Sequence, residues 1–255
     1  MKFINYTSYN KAEDIKRLRF ISENILTLPK GSTILDIGCG NGNISFQLAR
    51  MGYVVTGIDA SYSAVEKANI LYGGTPGLNF TVKSAEQLVE DKHDLFDAIV
   101  CSEVIEHLQD PLILVGSFKS LVKENGLAVV TVPNGFGPRE ALITKPMKSI
   151  NESRGLIAKI VNKIKNAMGY SGFTRQSAAS NLDHIQFFSM KELSKLADAG
   201  GFSIVKKAKG DFVENVFPFS LLTRRIYFLQ KFDCWMADIL PLAFTSAFYT
   251  VWKSK

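Results

Sequence analysis

Ile34-Leu35-Asp36-Ile37-Gly38-Cys39-Gly40-Asn41-Gly42 is the stretch on which the fold turns. Ile34, Leu35 and Ile37 have strand character, the glycines at 38, 40 and 42 make a tight turn, and Asn43 to Arg50 has helical character. A strand, a glycine turn and a helix start form the first half of a βαβ unit that grips a nucleotide-like ligand. Glycine reaches positive φ without steric cost and leaves main-chain N–H groups open to a ligand. Asp36 departs from the dinucleotide pattern, in which the turn stays neutral so that pyrophosphate can sit on the helix N-terminus. A carboxylate at the strand end repels a diphosphate and suits a cationic ligand.

The chain has 255 residues, enough for one large α/β domain with its own core. An apolar content of 46% and a charged content of 21% are those of a soluble globular protein. Residues 1–20 mix Lys, Glu, Asp and Arg with no apolar signal core, and no run approaches the roughly 20 apolar residues of a membrane span. Cys39, Cys101 and Cys234 are too few and too scattered for a disulfide framework or a zinc site. A reducing cytoplasm is the expected compartment.

Outward from the loop, Ile15, Leu18, Ile21, Ile25 and Leu28 mark an amphipathic helix over 10–28, stopped by Pro29. Tyr53 to Ile58 reads as the second strand, with Asp59 and Ala60 at its tip. An acid there accepts hydrogen bonds from both ribose hydroxyls, as in dinucleotide sites. Ser63 and Glu66 form a capping box for the helix that follows. Asn79 to Lys83 is a short third strand running into Ser84-Ala85-Glu86, and Phe96 to Cys101 a fourth running into Ser102-Glu103-Val104-Ile105-Glu106-His107. Glu103, Glu106 and His107 share a face if that stretch is helical. A helix over 112–124 ends at Asn125-Gly126, and a fifth strand, Leu127 to Val132, stops at Pro133-Asn134-Gly135.

Taken together these strings resemble the class I S-adenosylmethionine (SAM) methyltransferases, with specific motifs over 30–133 and a looser likeness over 184–255. The resemblance implies a Rossmann-like seven-stranded sheet, helices on both faces and an antiparallel last strand. It implies SAM as cofactor and S-adenosylhomocysteine (SAH) as product. Asp36, Gly38, Cys39, Gly40 and Gly42 would surround the methionine end. Asp59 and Ala60 would hold the ribose, and Ser84, Ala85 and Glu86 the adenine. Cys101, Ser102 and Glu103 would line the crevice. The Glu103, Glu106, His107 string is similar to the ubiquinone O-methyltransferases and the small-RNA ribose methyltransferases, which hold a divalent metal there. A metal would need further ligands, His184 among the candidates, so bracing of the loop is the expected role.

Residues 139–175 carry eight basic side chains against Glu140 and Glu152, a balance of +6 that equals the net charge of the whole chain. Within it Leu156, Ile160, Ile164 and Met168 share one helical face, with Lys159 and Lys163 elsewhere. The expectation is a basic, lid-like insertion at about 134–183 in one methyltransferase domain over 1–255. It would meet an anionic acceptor, or the inner face of the membrane as a peripheral contact. His184 precedes a helix with a capping box, Ser189 with Glu192, that closes at Gly200-Gly201 before a sixth strand from Phe202. His107 and His184 are the candidate general bases, since a neutral imidazole takes a hydroxyl proton near pH 7. An amphipathic helix within 217–240 and a last strand over Phe244 to Trp252 complete the chain.

The sequence therefore points to methyl transfer onto a small-molecule, glycan or lipid-linked acceptor, with a hydroxyl as the expected nucleophile. A quinone precursor is the second acceptor. Nucleic acid comes last, for want of aromatic stacking platforms. A nicotinamide oxidoreductase conflicts with Asp36, and a SAM-binding module without catalysis is the remaining alternative.

Overall fold

The computed structural model describes residues 11–138, 185–213, 223 and 226–255. The first helix is α1, Ala12–Ile25. It ends before Pro29, with Leu26 N–H on Ser22 O and Leu28 N–H on Ile25 O closing the last turn. There follow β1 (Thr33–Ile37), α2 (Asn43–Arg50), β2 (Val54–Asp59), α3 (Tyr62–Tyr72) and β3 (Leu78–Val82). Next come α4 (Ala85–Glu90), β4 (Phe96–Ser102), α5 (Pro111–Leu121) and β5 (Val122–Pro133). Beyond residue 184 lie α6 (Met190–Ala199), β6 (Phe202–Lys209), α7 (Tyr227–Ile239) and β7 (Ala247–Ser254).

The seven strands form one sheet in the order β3-β2-β1-β4-β5-β7-β6. β7 runs antiparallel to both its neighbours, and the other pairs are parallel. This is the Rossmann-like α/β sheet that the motifs imply, last strand included. The chain moves from β1 outward to β3, then returns to place β4 on the other side of β1, so a crevice opens at the carboxyl ends of β1 and β4.

Alternation along the strands separates two cores. Leu35, Ile37, Ile99, Cys101, Val130 and Trp252 pack with Phe118 of α5 and Leu193 of α6. Ile34, Val100, Val129, Tyr249 and Val251 pack on the opposite face with Phe20, Ile21 and Ile25 of α1 and Leu48 of α2. The central strands are apolar on both faces, as strands covered by helices on two sides must be. Asp36, two positions from Ile34, shares the α1 and α2 side.

Several boundaries differ from the sequence expectation. Ser61, not Ser63, caps α3: its Oγ accepts Ala64 N–H at 3.3 Å. α5 stops at Leu121, and Val122 already pairs with Phe96 across a register shift, so Asn125-Gly126 lies inside β5 rather than at a helix end. The last strand starts at Ala247, because Leu242–Phe244 makes a 3₁₀ turn after Pro241. The Ser189–Glu192 box is present in both directions, at 2.7 and 3.2 Å, and Gly201 ends α6 at φ +81°.

Trp252 is fully buried, donates from Nε1 to Thr250 Oγ1 at 2.8 Å, and lies 6.2 Å from the rings of both Phe118 and Phe202. Trp252→Ala should cost about 3–5 kcal/mol in urea unfolding, and Trp252→Phe clearly less. A cost below about 1 kcal/mol would show that this core does not depend on the indole.

Candidate active site

The turn after β1 holds its shape through its main chain. Gly38, Gly40 and Gly42 have φ of +67°, +52° and +79°. Gly42 N–H bonds Cys39 O, and Cys39 N–H bonds Ile58 O, each at 2.9 Å, which ties the turn to the adjacent strand. Two of the glycines are required by close approach as well as by φ. A Cβ on Gly38 would sit 2.4 Å from Val104 Cγ2, and one on Gly42 would sit 2.5 Å from Phe80 Cζ. No side chain makes a capping bond to α2; Asn43 at its start instead accepts the Tyr72 hydroxyl at 2.7 Å.

Two carboxylates flank the turn in different ways. Asp59 clasps it: Oδ2 accepts Gly40 N–H at 2.9 Å, and Oδ1 accepts Ser61 N–H at 2.8 Å. Each oxygen has a second lone pair, and the residue is part-exposed. Ala60 beside it is exposed. Asp36 is only 1% exposed and takes Ser45 Oγ at 2.5 Å, so it braces α2 from behind the turn. Burial pushes its carboxyl up to about 7, with Asp59 adding to the rise and Ser45 opposing it. The buried Cys39 thiol is driven upward by burial and by Asp36 and Asp59, so it is a neutral packing group.

At the tip of β3, Ser84 is spent on its helix. Its N–H bonds Gln87 Oε1 at 2.9 Å, and its Oγ accepts Gln87 N–H at 3.3 Å. Ala85 is buried, which leaves Glu86 as the part-exposed polar group of that corner.

The carboxyl ends of β4 and β5 carry a polar row in which the expected Ser102 and Glu103 meet Thr131, Tyr249 and Arg17, which the sequence did not announce. Cys101 is fully buried, its thiol raised by burial and by Glu106. Ser102 Oγ lies 2.9 Å from Thr131 Oγ1, which donates to Glu103 Oε1 at 3.0 Å. Glu103 adopts φ +59°, uncommon for a residue with a Cβ, and its Oε2 stands 3.5 Å from Arg17 Nη1. Arg17 also donates to Asp14 at 2.8 Å. Burial works against the guanidinium charge, but Glu103 and Asp14 more than offset it, so Arg17 stays charged. Tyr249 is the cross-strand partner of Thr131 and therefore shares its face. Its buried hydroxyl has no hydrogen-bond partner among the described residues, and burial keeps it a neutral phenol. Arg17 was detectable: it sits one turn before Ile21 on the inward stripe of α1, where a charge signals a buried partner. Thr131 and Tyr249 left no such mark.

Glu103, Glu106 and His107 do not share a helical face. The helical turn is only Ile105–His107, and Glu103 is turned away onto Thr131 and Arg17. Buried Glu106 places Oε1 3.7 Å from His107 Nε2. Among the described residues no group of three His, Cys, Asp or Glu side chains is arranged to hold a metal. Both Ile185 N–H and Gln186 N–H bond Glu106 O at 2.9 Å, so the chain resumes against this turn. His184 itself and the basic stretch 139–175 lie outside the described residues.

Comparison with known proteins agrees with this geometry. A family model for a methyltransferase domain matches residues 6–207. A ubiquinone biosynthesis O-methyltransferase of Paracidovorax citrulli is 37% identical over 99 residues, which are 38% of this chain and 42% of that protein. The chain thus matches less than half the length of that relative. A SAM-dependent methyltransferase structure from Methanosarcina mazei superposes with a TM-score of 0.56 at 21% identity, covering 92% of this chain and 96% of that one. The magnesium protoporphyrin IX methyltransferase of Synechocystis PCC 6803, solved with bound SAH, gives 0.53 at 15% identity over 100% and 90% of the two chains. With the family model spanning most of its length, this chain belongs to the methyltransferase domain family.

Proposed function

We propose that the chain transfers a methyl group from SAM to a hydroxyl of a small-molecule, glycan or lipid-linked acceptor. The observation that carries the reading is the clasp of Asp59 on Gly40 and Ser61, which leaves a part-exposed carboxylate beside the glycine turn. That donor set fits a nucleoside with vicinal hydroxyls and a cationic tail. Gly38, Gly40 and Gly42 give the tail room, Asp59 with Ala60 takes the ribose, and Glu86 beside Ser84 and Ala85 borders the base. Cys39, Cys101 and Ser102 contribute main chain to the crevice. When bound, SAM supplies a methyl group on a positively charged sulfur, ready for in-line displacement.

The residues of the chain then have three tasks. They align the acceptor oxygen, which is most of what such a displacement needs. They exclude water, and they receive the hydroxyl proton. His107, with the buried carboxylate of Glu106 beside it to stabilise an imidazolium, is the candidate for the proton. His184 is a second candidate from sequence alone. Part-exposed Glu103, held from behind by buried Arg17 and Thr131, is the side chain that an acceptor would meet next to the crevice. A quinone precursor is the second reading, supported by the names of the sequence relatives.

Calorimetry tests the cofactor. SAM and SAH should bind and NAD should not; binding of NAD alone would sink the proposal. Asp59→Ala should lose roughly 1.5–3 kcal/mol of SAM affinity for each charge-assisted hydrogen bond removed. Transfer of label from methyl-labelled SAM to a prenylated hydroxyquinone, or to lipid-linked sugars, would separate the acceptors. No transfer to any acceptor, with SAM bound, would favour a non-catalytic module.

Asp36 predicts a pH dependence. Its folded carboxyl keeps a proton up to about pH 7, whereas the unfolded chain releases it near the ordinary value of about 4. This group therefore favours folding below about pH 4, and that contribution is lost as the pH rises through 7. Asp36→Asn should flatten this part of the stability profile. It should also remove a gain in SAM affinity between pH 6 and 8, where the wild-type carboxylate becomes charged. Parallel profiles for the two proteins would refute the assignment.

Tyr249 predicts a gain in stability when its hydroxyl is removed. An unpaired buried hydroxyl costs about 1–3 kcal/mol, so Tyr249→Phe should unfold at a higher temperature. A lower melting temperature would mean that the hydroxyl is already satisfied in the free protein.

A further inference from the structure

Helix α7 is built inside out. A helix on a globular domain normally turns its apolar stripe inward. Here the inward positions are Gln230, Asp233, Cys234 and Ala237. Gln230 accepts Ala12 N–H at 3.0 Å and donates to Thr223 O at 2.9 Å. Asp233 accepts Phe212 N–H at 2.8 Å and Val213 N–H at 2.9 Å. Lys16 Nζ donates to Cys234 O at 3.0 Å. Polar bonds thus hold α7 to the domain. The large apolar residues lie on the other side: Phe228 is 72% exposed, Phe232 49%, Trp235 54% and Ile239 60%. At 100° per residue these four positions fall within about 60° of the helix circumference, a single stripe. Phe232 and Trp235 pack against one another there at a tilt of 35°, with ring centres 5.5 Å apart.

We propose that this stripe docks on an anionic phospholipid bilayer, with α7 lying in the headgroup plane. Aromatic residues with one exposed apolar face partition to that level, and the charges around the stripe select the sign of the surface. Lys231, over the Tyr227 ring at 4.9 Å, is the exposed cation on the helix. The exposed acid, Asp238, is neutralised by Lys16 at 2.7 Å, and Asp233 is buried. Lys209 adds a second cation at the carboxyl end, bonding Asp238 O at 2.9 Å. The rim of the stripe is therefore cationic. A second copy of the chain would set this rim against itself, whereas anionic lipid complements it. Among the described residues no helix is long and apolar enough to cross a membrane, so the contact is one of lying on the surface. The proposal concerns binding only and stands whichever acceptor is methylated.

The test uses the full chain and vesicles of phosphatidylcholine, alone or with about a third phosphatidylglycerol. Sedimentation should show binding to the anionic vesicles that falls with salt, as the Debye length shrinks from about 10 Å at 0.1 M to about 3 Å at 1 M. The protein has two tryptophans, and Trp252 is fully buried. Emission from Trp235 should shift to the blue and be quenched by brominated acyl chains, and Trp235→Phe should remove that quenching. The surface pair Phe228→Ser with Phe232→Ser should weaken vesicle binding at least tenfold while leaving SAM affinity unchanged. Absence of binding to anionic vesicles overturns the proposal. So does binding that neither quenches Trp235 nor responds to the serine pair, which would place the contact elsewhere, as in the basic stretch 139–175. Trp235 shielded from acrylamide in the lipid-free monomer, or a dimer broken by the serine pair, would show that protein covers the stripe and would equally overturn it.

Discussion

The carboxylate of Asp59 holds two loops with one side chain. By accepting N–H groups from Gly40 and Ser61, it joins the turn after β1 to the start of α3. The turn cannot hold itself: three of its residues are glycines at positive φ, free of side chains and costly in chain entropy. Cys39 N–H on Ile58 O supplies the remaining anchor. The strand order opens the crevice at the ends of β1 and β4, and a carboxylate at the tip of β2 helps hold the turn that borders it.

A second charged assembly, centred on Arg17, shapes the other side of the crevice. A buried guanidinium is tolerable only with partners, and Glu103 and Asp14 provide them. Glu103 reaches Arg17 and Thr131 from a backbone conformation with φ +59°. Strained residues of this kind are held by the surrounding structure and cluster at functional sites. Beside them Tyr249 contributes a buried hydroxyl without a partner among the described residues. A protein rarely leaves such a group unpaired for stability's sake. Arg17, Thr131 and Tyr249 are buried, so of this group Glu103 is the residue that reaches the surface of the crevice.

Helix α7 extends this arrangement outward. Its polar side is used up in binding α1 and the segment after β6, which frees its aromatic side for an external surface. One helix thus links the two regions: α1 carries Arg17 to Glu103 at one position and accepts α7 at others.

The local features were legible from sequence because their causes are local. The glycine turn, Asp59, the apolar central strands and the Ser189–Glu192 box follow from φ preferences, side-chain alternation and motif spacing, whereas the antiparallel last strand is implied only by the family resemblance. Boundaries failed where a tertiary bond competed. Ser61 rather than Ser63 caps α3, next to an N–H held by Asp59, and Val122 joins β5 because Phe96 lies opposite it. The grouping of Glu103, Glu106 and His107 failed because a single residue at positive φ turned Glu103 out of the helical register. What only the tertiary structure decided is which distant residues meet. Thr131 and Tyr249 became neighbours because β7 enters the sheet between β5 and β6, and α7 faces outward because its polar residues found partners on α1 and beyond β6. Sequence determines conformation wherever a residue and its near neighbours carry the energy. Contacts across a hundred residues or more depend on the packing of the whole sheet, and no local pattern encodes them.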